Sequence, residues 1–401
     1  MERRDNPMTI TAIVLLDAPI TVAELRDVVR ERLLPRARFR DRVVEHTLAG
    51  PRWELDPEFE LSAHVHHLAL PSIDAESAFE ELVEDLASAA LDPRIPLWQL
   101  HLIDGVRGGS ALLMRVHHVI ADGLALVDVL LGLTDEGPAQ WTPPSVPPSK
   151  RRGALARIAP LVGMASLVLS RPEPLTTLTA PHHAHKRLAW SPGLDLAALK
   201  GLAHAKGVGL TALLLALVTG AVRRVLIESE ELSPSLVVRA MVPLSVRDAS
   251  EGASLGNRYA SVFVGLPVGV GSASERLAEV ARRLARVTIT GGLSAGRALV
   301  RIASRVGAPI ERLGVELLSR RASLVVSNVP GPSGAHHIAG RRIGAVVAFA
   351  PVSGAVGLGV TFFGYGDAVS IGVSSGHALR SLPRDIVEGI ERELAELTTT
   401  Q

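Results

Sequence analysis

There is no cysteine among the 401 residues. That excludes disulfides, thiolate nucleophiles and cysteine-based metal centres. Aromatic residues make up only 3% of the chain against 47% hydrophobic residues overall, so the core is built on Ala, Val and Leu. A charge of one sign is also missing: 42 Lys and Arg face 41 Asp and Glu, for a formal net charge of +1. Nothing in that balance draws the molecule to nucleic acid. The N-terminus, MERRDNPMTI, has no apolar stretch followed by a small-residue cleavage site. No secretory signal is expected, and the expected location is cytoplasmic. One uncharged run, Ile343 to Gly366, is long enough on length alone to span a bilayer. Its glycines, Pro351 and its Val, Phe and Thr content instead predict two buried strands joined by a Gly-Ser turn.

The length suits two domains. In residues 1–137, Thr9 to Leu16 reads as a strand and Val22 to Leu34 as an amphipathic helix. Strands are expected near Val43 to Leu48, Ala63 to Leu68 and Trp98 to Leu102. Between them, Ala75 to Ala90 places Phe79, Leu82, Val83 and Leu86 on one helical face. Residues 138–193 read as a linker, proline-dense from Pro138 to Lys150 and irregular from Arg171 to Gly193. Inside it, the apolar stretch Ala154 to Ser170 follows Lys150-Arg151-Arg152. A helix lying on a lipid surface and an ordinary connecting helix fit it equally well. Residues 194–401 form the second domain. Leu210 to Leu226 is apolar nearly all round and should be a buried helix. Strands are predicted at Leu236 to Val242, Tyr259 to Leu266, Ser323 to Ser327 and twice within Ile343 to Val373. Helices are predicted at Ser274 to Val287, Ala295 to Arg305 and Asp385 to Leu397. The expected fold class is α/β (α+β), with mixed sheets flanked by helices.

The densest chemical signal is His117-His118-Val119-Ile120-Ala121-Asp122-Gly123. Ala111 to Val116 before it is a short apolar strand, and Gly123 to Leu133 after it has helical spacing. The histidines therefore stand at a strand end, and Asp122 at a helix N-cap position. A histidine can take and return a proton near neutral pH. A buried histidine that only packs and an aspartate that only caps would satisfy the same spacing.

HHVIADG resembles the HHxxxDG motif of the chloramphenicol acetyltransferase-like acyltransferases. Within that superfamily the chain is similar to the bacterial wax ester synthase/diacylglycerol acyltransferase family. Pro96-Leu97-Trp98 resembles its PLW element, and Met241 to Arg247 (MVPLSVR) its VPxSxR strand. Gly256-Asn257-Arg258 is similar to its GN element, and Ser327 to Pro332 matches its SNVPGP loop. The elements occur in the family's order over nearly the whole chain. Two departures stand out. Only Asn6-Pro7-Met8 remains of a longer family lead, and the family's Thr-Val-Asn-Asp helix reads Thr211-Ala212-Leu213-Leu214 here. An Asn-Asp pair that shapes the acceptor side would change the acceptor when lost; one that braces the fold could be replaced by apolar packing.

The resemblance implies two chloramphenicol acetyltransferase-like domains and transfer of a fatty acyl group from acyl-CoA to a lipid alcohol. Diacylglycerol or a long-chain alcohol would be the acceptor, with no cofactor beyond the co-substrate and with contact to a membrane or lipid-droplet surface. His118 is then the general base, His117 an orienting neighbour, and Asp122 a brace with Arg247 as candidate partner. Gly123 would permit close backbone approach, and Asn257 would either donate to the oxyanion or form a turn, the two roles fitting it equally well.

Rival readings are a condensation-type enzyme using a carrier-bound thioester and an inactive lipid-binding relative. A hydrolase is a third: Gly292-Leu293-Ser294-Ala295-Gly296 fits a nucleophile elbow, with Asp367 and His377 following. His182-His183-Ala184-His185 and His336-His337 show no ligand spacing and are expected to be solvated loop residues.

Overall fold

The structure, a computed structural model, describes residues 8–46, 50–71, 73–137, 173–179, 185–245, 259–289, 320–352, 356–376 and 381–399. The segments expected at 138–172 and Ala295 to Arg305 lie outside these residues, as do Arg247, Asn257, Ser294, His377, His182 and His183.

Two six-stranded mixed sheets with flanking helices make up the fold. The first sheet holds β1 (Thr9–Leu16), β4 (Val65–Ala69), β5 (Trp98–Val106) and β6 (Gly109–His117). β2 (Asp41–His46) and β3 (Gly50–Leu55) form a separate hairpin. The second sheet holds β7 (Arg187–Asp195), β8 (Val238–Ser245), β9 (Tyr259–Leu266), β10 (Leu324–Val329), β13 (Leu358–Tyr365) and β14 (Ala368–Ser375). The remaining strands, β11 (His337–Ile338) and β12 (Arg341–Phe349), come late in the chain yet join the first sheet, whose order is β11-β12-β1-β6-β5-β4. The sequence split at residue 194 does not follow the sheets: β11 and β12 belong with the first half, and β7 already opens the second. For the same reason β12 and β13 are not a hairpin, although both are strands as expected. Cross-links run between the sheets where β12 lies over β14: Ser370 Oγ donates to the Val346 carbonyl at 2.6 Å and Ser374 Oγ to that of Ala350 at 3.0 Å. Gly372 permits this approach, since a Cβ there would stand 2.2 Å from the Ala348 carbonyl oxygen.

Local chemistry sets the helices. α1 (Val22–Val28) begins in a Thr21/Glu24 capping box and runs on as a π turn through Leu33. α2 (Ala75–Ser88) buries Phe79, Val83 and Ala87 on the outer face of the first sheet. α3 (Gly123–Leu133) follows the histidine pair. The 171–193 stretch read as irregular contains most of β7, and an unexpected helix α4 (Leu196–Ala205) follows under an Asp195 cap. Pro192 and Gly193 inside β7 hid the strand from a propensity reading.

α5 (Leu210–Glu228) is, among the described residues, the one helix long and apolar enough to cross a membrane. It is the core helix of the second half, flanked by α6 (Ala273–Ile289) and α7 (Leu382–Thr399). Gly220 of α5 leaves room for the buried Glu393 of α7, whose two carboxylate oxygens accept from Nη2 of the equally buried Arg276 of α6 at 2.6 and 2.7 Å, with Nε donating to Oε1 at 3.1 Å. Burial pushes the Glu393 carboxyl up, against the pull of that guanidinium.

Candidate active site

β6 ends at His117, and the next residues turn tightly into α3. Three hydrogen bonds fix the turn. The His117 N–H donates to the Leu97 carbonyl at 3.0 Å, the His118 N–H to Met8 at 2.8 Å, and the Ile120 N–H back to His117 at 2.9 Å. The Pro96-Leu97-Trp98 element is thus a backbone anchor for the histidine pair. Its Trp98 is 1% exposed, donates from Nε1 to the Phe39 carbonyl at 2.9 Å, and stacks on His64 at 4.5 Å. His117 Nδ1 accepts the Val119 N–H at 3.1 Å, which ties that ring to its own turn. Asp122 is the N-cap of α3 and accepts from Ala125 N at 2.9 Å. It is 4% exposed. Capping is therefore one of its roles, as the spacing predicted.

His118, Asp122 and Gly123 stand at the wall of a cavity of about 400 Å³ between the two sheets. From the first sheet the lining is one pleat face: Ile10, Ala12 and Val14 of β1, Met114 and Val116 of β6, Val346 and Ala348 of β12. The register sets these side by side, Ile10 opposite Val116 and Ala12 opposite both Met114 and Ala348. From the second sheet come Met241 to Leu244 of β8 and Val325 to Pro330 around the end of β10.

That sheet is split where the cavity opens. The parallel ladder between β8 and β10 pairs only Ala240 with Leu324 and Met241 with Val325. Just beyond, Pro243 has no N–H to continue it, although β8 remains paired with β9. The MVPLS element thus serves a strand that leaves its neighbour. SNVPGP does likewise from the other side of the gap. Its Val329 packs on Gly123, and Gly331 lies so close to Gly364 that a Cβ would come 1.9 Å from that carbonyl oxygen.

Polar groups in the lining are few. Besides His118 and Asp122 they include Thr211, Ser261, Ser327, Asn328 and Thr361. Asn328 Nδ2 donates to Thr211 Oγ1 at 3.4 Å. Asn328 carries no signal of its own in the sequence because SNVPGP reads as turn chemistry; it joins Gly123 in the cavity wall only when the two halves close. Leu213 and Leu214 are 0% and 1% exposed in the core of the second half and do not line the cavity.

The other groups singled out in the sequence lie elsewhere. The Asp367 carbonyl receives the Leu196 N–H in the β13–β14 turn, away from the cavity. His337 Nδ1 pairs with Glu136 at 2.6 Å. No group of three or more metal-ligating side chains occurs among the described residues.

Similarity to known proteins extends over nearly the whole chain. Residues 1–205 match the wax ester synthase/diacylglycerol acyltransferase catalytic domain, and residues 255–398 match the WS/DGAT C-terminal domain. A probable diacylglycerol O-acyltransferase of Mycobacterium tuberculosis is 28% identical over 98% of this chain and 92% of its own. Among solved structures, the wax ester synthase/diacylglycerol acyltransferase of Marinobacter aquaeolei superposes with a TM-score of 0.72 at 22% identity, covering 99% of this chain and 95% of that one. The starter condensation domain of rhizomide synthetase gives 0.67 at 14% identity, covering 99% and 91%. The two matching domains, which together span most of the sequence, show that the chain belongs to the wax ester synthase/diacylglycerol acyltransferase family of acyltransferases.

Proposed function

We propose that the chain transfers a fatty acyl group from acyl-CoA to the hydroxyl of a lipid alcohol, diacylglycerol or a long-chain alcohol, with His118 as general base. The observation that carries this reading is the placement of His118 in the wall of a mainly apolar cavity between the two sheets. Such a lining accepts alkyl chains and excludes water from the thioester. The relatives' names, diacylglycerol O-acyltransferase and wax ester synthase, support the acceptor side of this reading.

In the proposed step the imidazole of His118 takes the hydroxyl proton as that oxygen bonds to the thioester carbonyl carbon. The tetrahedral intermediate collapses with cleavage of the C–S bond, and the imidazolium returns the proton to the CoA thiolate. No covalent acyl-enzyme is required, which suits a chain without cysteine. Asn328, held by Thr211, has a second amide N–H with which to meet the developing oxyanion. Asp122 holds the start of α3, and so the turn that aims His118.

The test is release of free CoA from palmitoyl-CoA against a panel of acceptors. His118→Ala should lower kcat/KM by roughly 10²–10⁴-fold, and Ser294→Ala should leave it unchanged. Full activity in His118→Ala would defeat the assignment, and loss only in Ser294→Ala would favour the hydrolase.

A further inference from the structure

The face of the first sheet turned away from the cavity carries three basic side chains that acyl transfer does not use, and a fourth reaches the sheet edge from α1. His66 of β4 and His101 of β5 are register partners, and their rings stack at 4.8 Å and 22°. Arg115 of β6 lies diagonal to His101 on the same face, because His101 is opposite Leu113. Arg26 of α1 reaches the same strand edge, its Nη2 donating to the Val65 carbonyl at 3.4 Å. His101 is 5% exposed and Arg115 2%.

Five nitrogens of this group are buried without a hydrogen-bond partner: both ring nitrogens of His101, Nε2 of His66, and Nε of Arg26 and of Arg115. Arg115 uses its other nitrogens on Gln99 Oε1 at 2.6 Å and on the Ala89 carbonyl at the end of α2. Among the described residues, none of the four pairs with a carboxylate. Buried donors in that state are costly, and a buried guanidinium without an anion more so. Desolvation brings Arg115 down to about 10 and His101 down to about 3, as expected for cationic groups lacking a counter-charge.

The sign of the charge decides the ligand. Two imidazoles alone could hold a metal ion, but two guanidiniums beside them repel a cation and attract an anion. Donors arriving from three strands and a helix suit a multidentate acceptor. β4 is the edge of the sheet, and His66 and Arg26 are only partly buried, so entry is from that edge. We propose that Arg26, His66, His101 and Arg115 form a binding site for a small free oxyanion of the phosphate type. An ion there would tie α1, β4, β5 and β6 together, with Arg115 two residues ahead of His117 on the strand that carries the histidine pair.

Thermal unfolding of the full chain in phosphate-free buffer tests this, titrating inorganic phosphate against sodium chloride at matched ionic strength. A parallel arm uses CoA, whose phosphates are attached to a larger molecule. Phosphate should raise the Tm saturably, as a ligand of the folded state does. Arg26→Gln and His66→Gln, at partly exposed positions with little risk to folding, should weaken the apparent phosphate affinity by about tenfold or more. Acyl transfer by both variants without phosphate should match the wild type. A wild-type Tm that follows only ionic strength would overturn the proposal. So would an equal phosphate response in both variants, or a stabilisation by CoA alone that depends on Arg26 and His66.

Discussion

Gly123, the first residue of α3, is packed against Val329 of the opposite half: a Cβ built on it would come 3.2 Å from Val329 Cγ2. That separation is tighter than ordinary van der Waals contact, so the valine would have to give by a few tenths of an ångström. The HHxxxDG turn and the SNVPGP loop are thus in contact across the cavity, and the glycine sets how closely they meet.

Gly123→Ala should therefore separate packing from helix propensity. Alanine favours a helix start, so any loss comes from the clash with Val329. We expect kcat/KM to fall by about tenfold, since small displacements of catalytic groups are costly. The double variant Gly123→Ala/Val329→Ala should recover much of that loss. Steady-state kinetics of both variants decide the matter, and a double variant no better than the single one would show that the contact does not set the geometry.

Asp122 tests the cap. Its side chain holds the Ala125 N–H at 2.9 Å at the buried start of α3. Asp122→Ala removes that acceptor and should cost about 0.5–2 kcal/mol of unfolding free energy. Asp122→Asn keeps an oxygen able to cap and should regain most of it. Denaturant titration of the two variants measures the difference; equal destabilisation would mean that the charge, not the cap, is what the fold uses.

The histidine motif and its flanking strand and helix were legible because their information is local: an apolar run, two histidines, a cap residue and helical spacing lie within two dozen residues. The family resemblance extended that to the fold. What stayed hidden depends on partners distant in sequence. Nothing in RRIGAVVAF says that β12 will pair with Thr9–Leu16 and not with its neighbours in the chain. Asn328 looked like part of a turn until Val329 met Gly123. His66 and His101, 35 positions apart, became a pair only through the parallel register of β4 and β5.

The positions where the family pattern has Asn-Asp show how the cavity and the core divide one helix. Thr211 lines the cavity, whereas Leu213 and Leu214 are buried in the core below it. Restoring the acid with Leu214→Asp would place an unpaired carboxylate among apolar neighbours. A loss of about 3–5 kcal/mol is expected, enough to unfold much of the protein. Leu213→Asn should cost less and leave the ratio of rates on diacylglycerol and long-chain alcohols unchanged. An altered ratio in that variant would place these residues in acceptor selection after all.

Acid stability follows from the buried histidines. Desolvation lowers His101 to about 3, and His64 and His66 are also shifted down by burial. In the unfolded chain each returns to its ordinary value near 6.5. Between the folded and unfolded values the unfolded state binds more protons, so stability is lost as pH falls below about 6.5. For His101 the window runs down to about 3, with a limiting slope of about 1.4 kcal/mol per pH unit. Unfolding free energies measured in phosphate-free buffer from pH 7 to pH 4 should show this decline. His101→Gln, which cannot take up a proton, should flatten it by close to one proton's worth of slope. An unchanged slope in that variant would mean that His101 takes up its proton in the folded chain as readily as in the unfolded one.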